Sequence, residues 1–108
     1  MGHQSFPANG MLQILVPGNL ISTNADQFRA SAGSAIAAQS AGKRDWPGIE
    51  IDLTAAKMVD SAGLNAIISL IRRLNKEGKR VLIHVRDQHV YRVCMFTRLD
   101  SLAEIIRS

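Results

Sequence analysis

Ile49-Glu50-Ile51-Asp52-Leu53, the connecting run Thr54–Val59 and Asp60-Ser61-Ala62-Gly63-Leu64 stand in succession at the middle of the chain. The first five residues alternate apolar and acidic, the period of a strand with one wet face. From Leu64 the apolar residues fall at Leu64, Ile67, Ile68, Ile71 and Leu74, the period of an amphipathic helix. Gly78 stops that helix, because glycine takes the left-handed conformation that a helix end needs. Val81-Leu82-Ile83-His84-Val85 is then a second run of strand length. Strand, helix and strand in this order predict a parallel unit with a right-handed crossover.

Working outward, Leu12-Gln13-Ile14-Leu15-Val16 has strand propensity and Pro17-Gly18 ends it. Asn9-Gly10 favours a tight turn, which predicts a hairpin between a short strand near Gln4–Ala8 and the strand Met11–Val16. Ser22, Thr23 or Asn24 supplies a cap for a helix running to about Gln39, with Ala25, Phe28, Ala32, Ala35 and Ile36 on its inner face. Ser40 to Gly48 reads as a loop. Beyond the central unit, Gln88 to Thr97 predicts a third helix with Val90, Val93, Cys94 and Phe96 inward. Ser101 caps a last short helix over Leu102–Arg107. The expected fold is α/β: a mixed, mostly parallel sheet with an N-terminal antiparallel hairpin strand, flanked by about four helices. Residues 1–108 read as one domain, with Met1-Gly2-His3 given no weight in function.

The bulk numbers exclude several classes of function. The hydrophobic fraction of 46% and charged fraction of 20% describe an ordinary globular chain. The net charge of +4 raises nucleic-acid binding as a question. The strongest basic cluster, Arg72, Arg73, Lys76, Lys79 and Arg80, has no interleaved aromatics, and cations at a helix end also suit the helix dipole. Excess Lys and Arg on solvated faces is therefore the preferred reading. Cys94 is the sole cysteine, so nothing calls for an oxidising compartment. Met1–Gly10 has no secretory pattern, and no apolar run is long enough to span a membrane. A cytoplasmic location without membrane insertion follows as an expectation.

Catalytic and cofactor motifs are missing. Neither a phosphate-binding glycine loop nor a dinucleotide fingerprint occurs. His3, His84 and His89 lack metal-ligand spacing, and one cysteine is too few for a zinc cluster. Pro17-Gly18-Asn19-Leu20-Ile21 holds no acid, which argues against a metal-dependent receiver domain of similar rhythm. Cys94 has no His/Asp partner at a motif position. No enzyme, metal or cofactor is expected.

Asp60 or Ser61 caps the long helix, which is a common structural role. The same place also carries chemistry. It lies at the C-terminal end of a strand, where α/β sheets present functional loops. A serine hydroxyl there is open to a modifying enzyme, and a phosphate would meet the helix dipole and free backbone N–H groups. From Ser61 the residues Asn65, Ser69, Arg72 and Lys76 form one stripe, flanked by the small Ala62 and Ala66. A docking surface and a plain solvated face both fit that stripe.

The strand with Asp52-Leu53-Thr54, the run Asp60-Ser61-Ala62-Gly63-Leu64, and Arg72 through Ile83 with Gly78 resemble the STAS family of anti-sigma factor antagonists. Gly18-Asn19-Leu20 resembles the family's Gly-x-Leu turn. Val93 through Asp100 resembles its closing helix, with Arg98 in place of the usual Gly. The likeness covers roughly Leu12 to Ile106. It implies a non-enzymatic switch that docks on an anti-sigma factor, a serine kinase with a histidine-kinase-like ATP-binding fold. It implies Ser61 as the phosphorylated residue, with Asp60, Asp52, Ser22 and Thr23 around it. It implies Ala62, Asn65, Ser69 and Arg72 as partner contacts, and a PP2C-type phosphatase that restores the free form. Ile21 stands where antagonists commonly carry an acid, and Asn65 where a small residue is frequent. A second implication is a constitutive STAS subunit of another assembly, such as a lipid-transport ABC system, binding its ATPase.

Overall fold

The computed structural model describes residues 10–42 and 46–108. Its elements are β1 (Leu12–Leu15), α1 (Ala25–Gly42), β2 (Gly48–Leu53), α2 (Ser61–Lys76), β3 (Arg80–Val85), α3 (Gln88–Phe96), a single 3-10 turn (Leu99–Ser101) and β4 (Glu104–Arg107). The four strands lie in the order β1-β2-β3-β4, all parallel.

Sequential order and parallel pairing have one consequence. Crossovers of one hand that always step the same way place every helix on the same side of the sheet. Burial agrees. Leu12, Ile14, Ile49, Ile51, Leu53, Val81, Ile83 and Val85 share one face by register and one core cluster with Phe28 and Ile36 of α1, Ile67 and Leu74 of α2, and Val90 and Cys94 of α3. The opposite face carries Gln13, Glu50, Asp52, His84 and Glu104 among Leu15, Leu82 and Ile106. None of its apolar residues belongs to that cluster. On this face His84 is half-buried, its Nε2 3.6 Å from Glu50 Oε1.

Several expectations need correction. The described sheet is wholly parallel: β1 pairs with β2, and the strand expected near Gln4–Ala8, with its antiparallel hairpin, lies outside the described residues. Three α-helices are described where about four were expected. The difference is the C-terminal segment, where Leu102–Arg107 reads as a helix in sequence. In the fold, Glu104–Arg107 instead pairs with β3, satisfying the backbone of an otherwise open edge. Ser101 also fails as a cap for a downstream helix, since its hydroxyl donates back to the Arg98 carbonyl at 2.6 Å. Phe96, expected inward, is 89% exposed. α1 extends past Gln39 to Gly42.

α2 follows its sequence closely. Ala66, Ile67, Leu70, Ile71 and Leu74 are buried along one stripe. Glu77 is its C-cap and Gly78 follows at φ 75°, the left-handed position a helix end favours for glycine.

Candidate functional site

β1 and β2 end at the same edge of the sheet, and the loops that leave them are bound together before α2 begins. Leu20 and Val59 form an isolated parallel bridge. The Leu20 N–H donates to the Met58 carbonyl at 3.1 Å, and the Asp60 N–H donates to the Leu20 carbonyl at 3.2 Å. Asn19 Oδ1 accepts from the N–H groups of Lys57 and Met58 at 2.8 and 3.1 Å. Asn24 Nδ2 in turn donates to the Asn19 carbonyl at 2.8 Å. Asn24 Oδ1 accepts from the Ile21 N–H at 2.9 Å. Of the three residues expected to cap α1, Asn24 thus directly precedes the helix, and its side chain closes the preceding turn.

Asp60 completes the junction. It is the N-cap of α2, with extended backbone, and its Oδ1 accepts from the Gly63 N–H at 2.9 Å. Its Oδ2 accepts from the Ser22 N–H at 2.9 Å. One carboxylate therefore serves two backbone donors, one in its own helix and one in the neighbouring loop. The Gly63 hydrogen bond is the main cause holding its pKa below the ordinary 3.8; desolvation opposes it, and the Ser22 and Ala62 N–H groups reinforce it. Asp60 is a fixed negative charge at neutral pH.

Gly63 is what lets the two loops meet. A Cβ there would lie 2.2 Å from the Leu20 carbonyl oxygen, a backbone atom that cannot swing away. The glycine of the Asp60–Leu64 run is a packing requirement of the junction.

Ser61 occupies the first helical position after this cap and is exposed. Ser22 is joined to Asp60 by its backbone, while Thr23 is exposed beside it. Asp52 acts elsewhere. Its Oδ1 accepts from the Thr54 N–H at 2.9 Å and from the Thr54 hydroxyl at 2.6 Å, closing the end of β2. The hydrogen bonds therefore unite Asp60 with Ser22 and leave Asp52 with Thr54.

Asn65, Ser69, Arg72 and Lys76 are exposed along α2 in line with Ser61. Ala62 is half-buried against the core, and Ala66 is fully buried, so only one of the two flanking alanines borders the stripe. The basic cluster divides. Lys79 Nζ donates to the Trp46 carbonyl at 2.8 Å and lies 4.5 Å from the centre of its ring. Arg80 faces Glu104 at 3.4 Å. Arg72, Arg73 and Lys76 remain exposed, around a shallow concavity with Ser69 and Glu77.

Cys94 is buried, and desolvation pushes its thiol up to about 11, which keeps it protonated and inert. Among the described residues no group of three His, Cys, Asp or Glu side chains is placed to hold a metal ion. No described helix is long and apolar enough to cross a membrane.

Sequence patterns do not reveal Asn19 as a clamp between loops. Asn19 is visible there only as the middle residue of a Gly-x-Leu turn. Its bonds reach residues 38 and 39 positions away, and no local periodicity carries that information.

The STAS domain family model matches residues 8–108. A comparison with curated proteins finds no match. Among solved structures, a candidate anti-sigma factor antagonist from Thermotoga maritima superposes with a TM-score of 0.82 at 18% identity, covering 100% of this chain and 87% of its own. The anti-sigma factor antagonist SpoIIAA in its unphosphorylated form superposes with a TM-score of 0.66 at 16% identity, with the same coverage of 100% and 87%. At these identities the superpositions speak for the fold.

Proposed function

The chain belongs to the STAS domain family, and from that premise we propose that it is a protein-docking switch of the anti-sigma factor antagonist kind, controlled by phosphorylation of Ser61. The observation that carries this reading is the placement of Ser61. Its side chain is exposed at the first position of α2, directly after an Asp60 anchored to its own helix and to the neighbouring loop.

The physical logic has two parts. A kinase needs a hydroxyl it can reach on a backbone that holds still, and the junction of Leu20, Asp60 and Gly63 provides the second while exposure provides the first. A phosphate on Ser61 would then add about two negative charges where the helix dipole tolerates them. Asp60 beside it is already charged, so the modified surface would be strongly anionic. A partner that docks over Ser61, Ala62, Asn65, Ser69 and Arg72 would meet bulk and charge at the edge of its contact. The domain itself need not unfold.

In this reading the partner is an anti-sigma factor that is also the serine kinase, and a PP2C-type phosphatase reverses the mark. The test begins with intact-mass analysis of the protein from its native host, with peptide mapping across residues 57–72. A phosphate on Ser61 is the expected result. Binding of the anti-sigma factor kinase recovered with the protein from that host is then compared for the wild type, Ser61→Ala and Ser61→Asp. The first two should bind alike and the third at least tenfold more weakly. Equal binding by all three sinks the switch. With no phosphate in growth or stress, it turns the reading to a constitutive subunit that contacts an ATPase.

A further inference from the structure

The C-terminal end of α3 holds a residue combination that the domain's own folding does not require. Phe96 is 89% exposed, against 50% for Met58 and 37% for Leu15, the other large apolar side chains on the described surface. Arg92 precedes it by one turn, on the same face of the helix. Two residues after Phe96 comes Arg98, at φ 62° and ψ 30°, the one non-glycine residue with positive φ among those described.

That backbone conformation is needed by the turn. The Arg98 N–H donates to the Met95 carbonyl at 3.1 Å, and the Arg98 carbonyl accepts from the Ser101 N–H at 3.0 Å and from the Ser101 hydroxyl at 2.6 Å. The arginine side chain is not needed by the turn. Glycine would adopt this conformation without the clash between Cβ and the carbonyl that any other residue suffers. Nor does the side chain find a reward within the described chain. Arg29 faces Asp26 at 3.7 Å, Arg80 faces Glu104 at 3.4 Å, and Arg107 stacks 4.8 Å from the centre of the Tyr91 ring. Arg92 and Arg98 are exposed and make no such pair among the described residues. A backbone cost with no internal return points outward.

α3 is capped by Asp87, just past the end of β3, and runs back along the sheet for nine residues, roughly 13 Å. Phe96 and Arg98 therefore lie at the end of the domain away from Ser61. This inference does not depend on the phosphorylation reading.

We propose that Arg92, Phe96 and Arg98 form a second docking surface, for a protein partner that presents an apolar pocket rimmed by carboxylates. A rigid aromatic flanked by arginines is the composition of an interface anchor. The two guanidiniums call for anionic groups beside the pocket, and Asp100, the nearest exposed acid in sequence, leaves the patch net positive. A membrane surface fits less well. Interfacial helices need a broad apolar face and many cations, and α3 offers a single exposed aromatic on nine residues.

The test uses the full chain, labelled with nitrogen-15, and a random copolymer of glutamate and tyrosine as an anionic, aromatic-rich polypeptide probe. Polyglutamate and phosphatidylglycerol vesicles are titrated in parallel, and sedimentation velocity of the protein alone reports self-association. The expected result is saturable binding of the copolymer with amide shifts centred on Arg92 and Phe96–Leu99. Binding should weaken about tenfold or more in Phe96→Ser, which removes an exposed side chain and leaves the fold intact. Arg98→Gly should bind more weakly and yet melt several degrees higher, since it relaxes the turn. Shifts confined to Arg72, Arg73 and Lys76, or equal binding by Phe96→Ser, overturn the proposal. So does binding of vesicles alone, or self-association that Phe96→Ser abolishes; these results assign the patch to lipid or to a second copy.

Discussion

α2 and α3 begin alike and are held differently. Each follows one of two adjacent parallel strands, and each is capped by an aspartate whose side chain accepts from the N–H three residues on. Asp87 makes that bond to Val90 at 3.1 Å, and Val90 is a fully buried core residue. Asp60 makes it to Gly63 and then spends its second oxygen on Ser22 of another loop. The third helical residue is thus a core-filling valine in α3 and a glycine pressed against a foreign carbonyl in α2. The start of α3 is fixed by its own hydrophobic burial. The start of α2 is fixed by backbone contacts from outside the helix, which hold a polar, exposed segment still without burying it.

The contrast is sharpest at that third position, where substitution by alanine should destabilise for opposite reasons, overfilling one site and emptying the other. Gly63→Ala adds a methyl 2.2 Å from the Leu20 carbonyl. Its expected cost is about 3 kcal/mol, the upper range for overpacking, or on the order of 10 °C or more in melting temperature. Helix propensity alone would have made the same change favourable by roughly 1 kcal/mol. Val90→Ala removes volume from the core, with an expected loss of about 2 kcal/mol. Urea denaturation measures both. A Gly63→Ala variant as stable as the wild type would break the comparison outright.

The capping aspartates give the next largest effect. Asp87→Ala removes one side-chain bond to a helix N–H, typically worth about 1 kcal/mol. Asp60→Ala should destabilise more, because it frees donors in two segments and unties the Ser22 loop. Amide exchange at Ser22 and Gly63 should rise together in that variant. If only Gly63 responds, the link between the loops is weaker than the geometry indicates.

Acid titration sharpens the same point. The Asp60 pKa is lowered in the folded state, so its contribution to stability is complete above the ordinary value of 3.8 and is lost as pH falls through the folded value. Stability of the wild type should therefore drop in acid more steeply than that of Asp60→Asn, which has no such proton to take up. The two curves should converge at the lowest pH. Parallel curves would mean that the carboxylate gains nothing from its N–H partners.

The sequence reveals α2 and hides its anchor. The strand Ile49–Leu53 and the helix from Ser61 are legible because each buries a periodic face against one core. Asp60 is legible as a cap because capping is local. Asn19 and the second bond of Asp60 are not, since they join residues 38 or 39 apart. The C-terminal strand escapes local patterning for a related reason. Glu104–Arg107 has Ile105 and Ile106 half-buried on opposite faces, and what makes it a strand is the open edge of β3. Phe96 reads as inward because helical period alone cannot tell the edge of an apolar face from its centre.

The smallest expected effect belongs to Ser61, and its smallness is informative. The hydroxyl is exposed and makes no hydrogen bond among the described residues, so Ser61→Ala should change stability by no more than about 0.5 kcal/mol. Ser61→Asp brings two opposing contributions. A negative charge in the first turn of α2 gains from the helix dipole, typically about 0.3–1 kcal/mol. The neighbouring Asp60 carboxylate repels it, and exposure screens both. The two should nearly cancel, leaving a folded domain with an altered surface, as a reversible switch requires. The measurement is a pair of urea curves with partner binding on the same samples. Unchanged stability with binding lost places the effect at the contact surface. Lost stability would mean that charge at Ser61 acts by loosening the Asp60 junction, and the two helix starts would then differ in fragility as well as in construction.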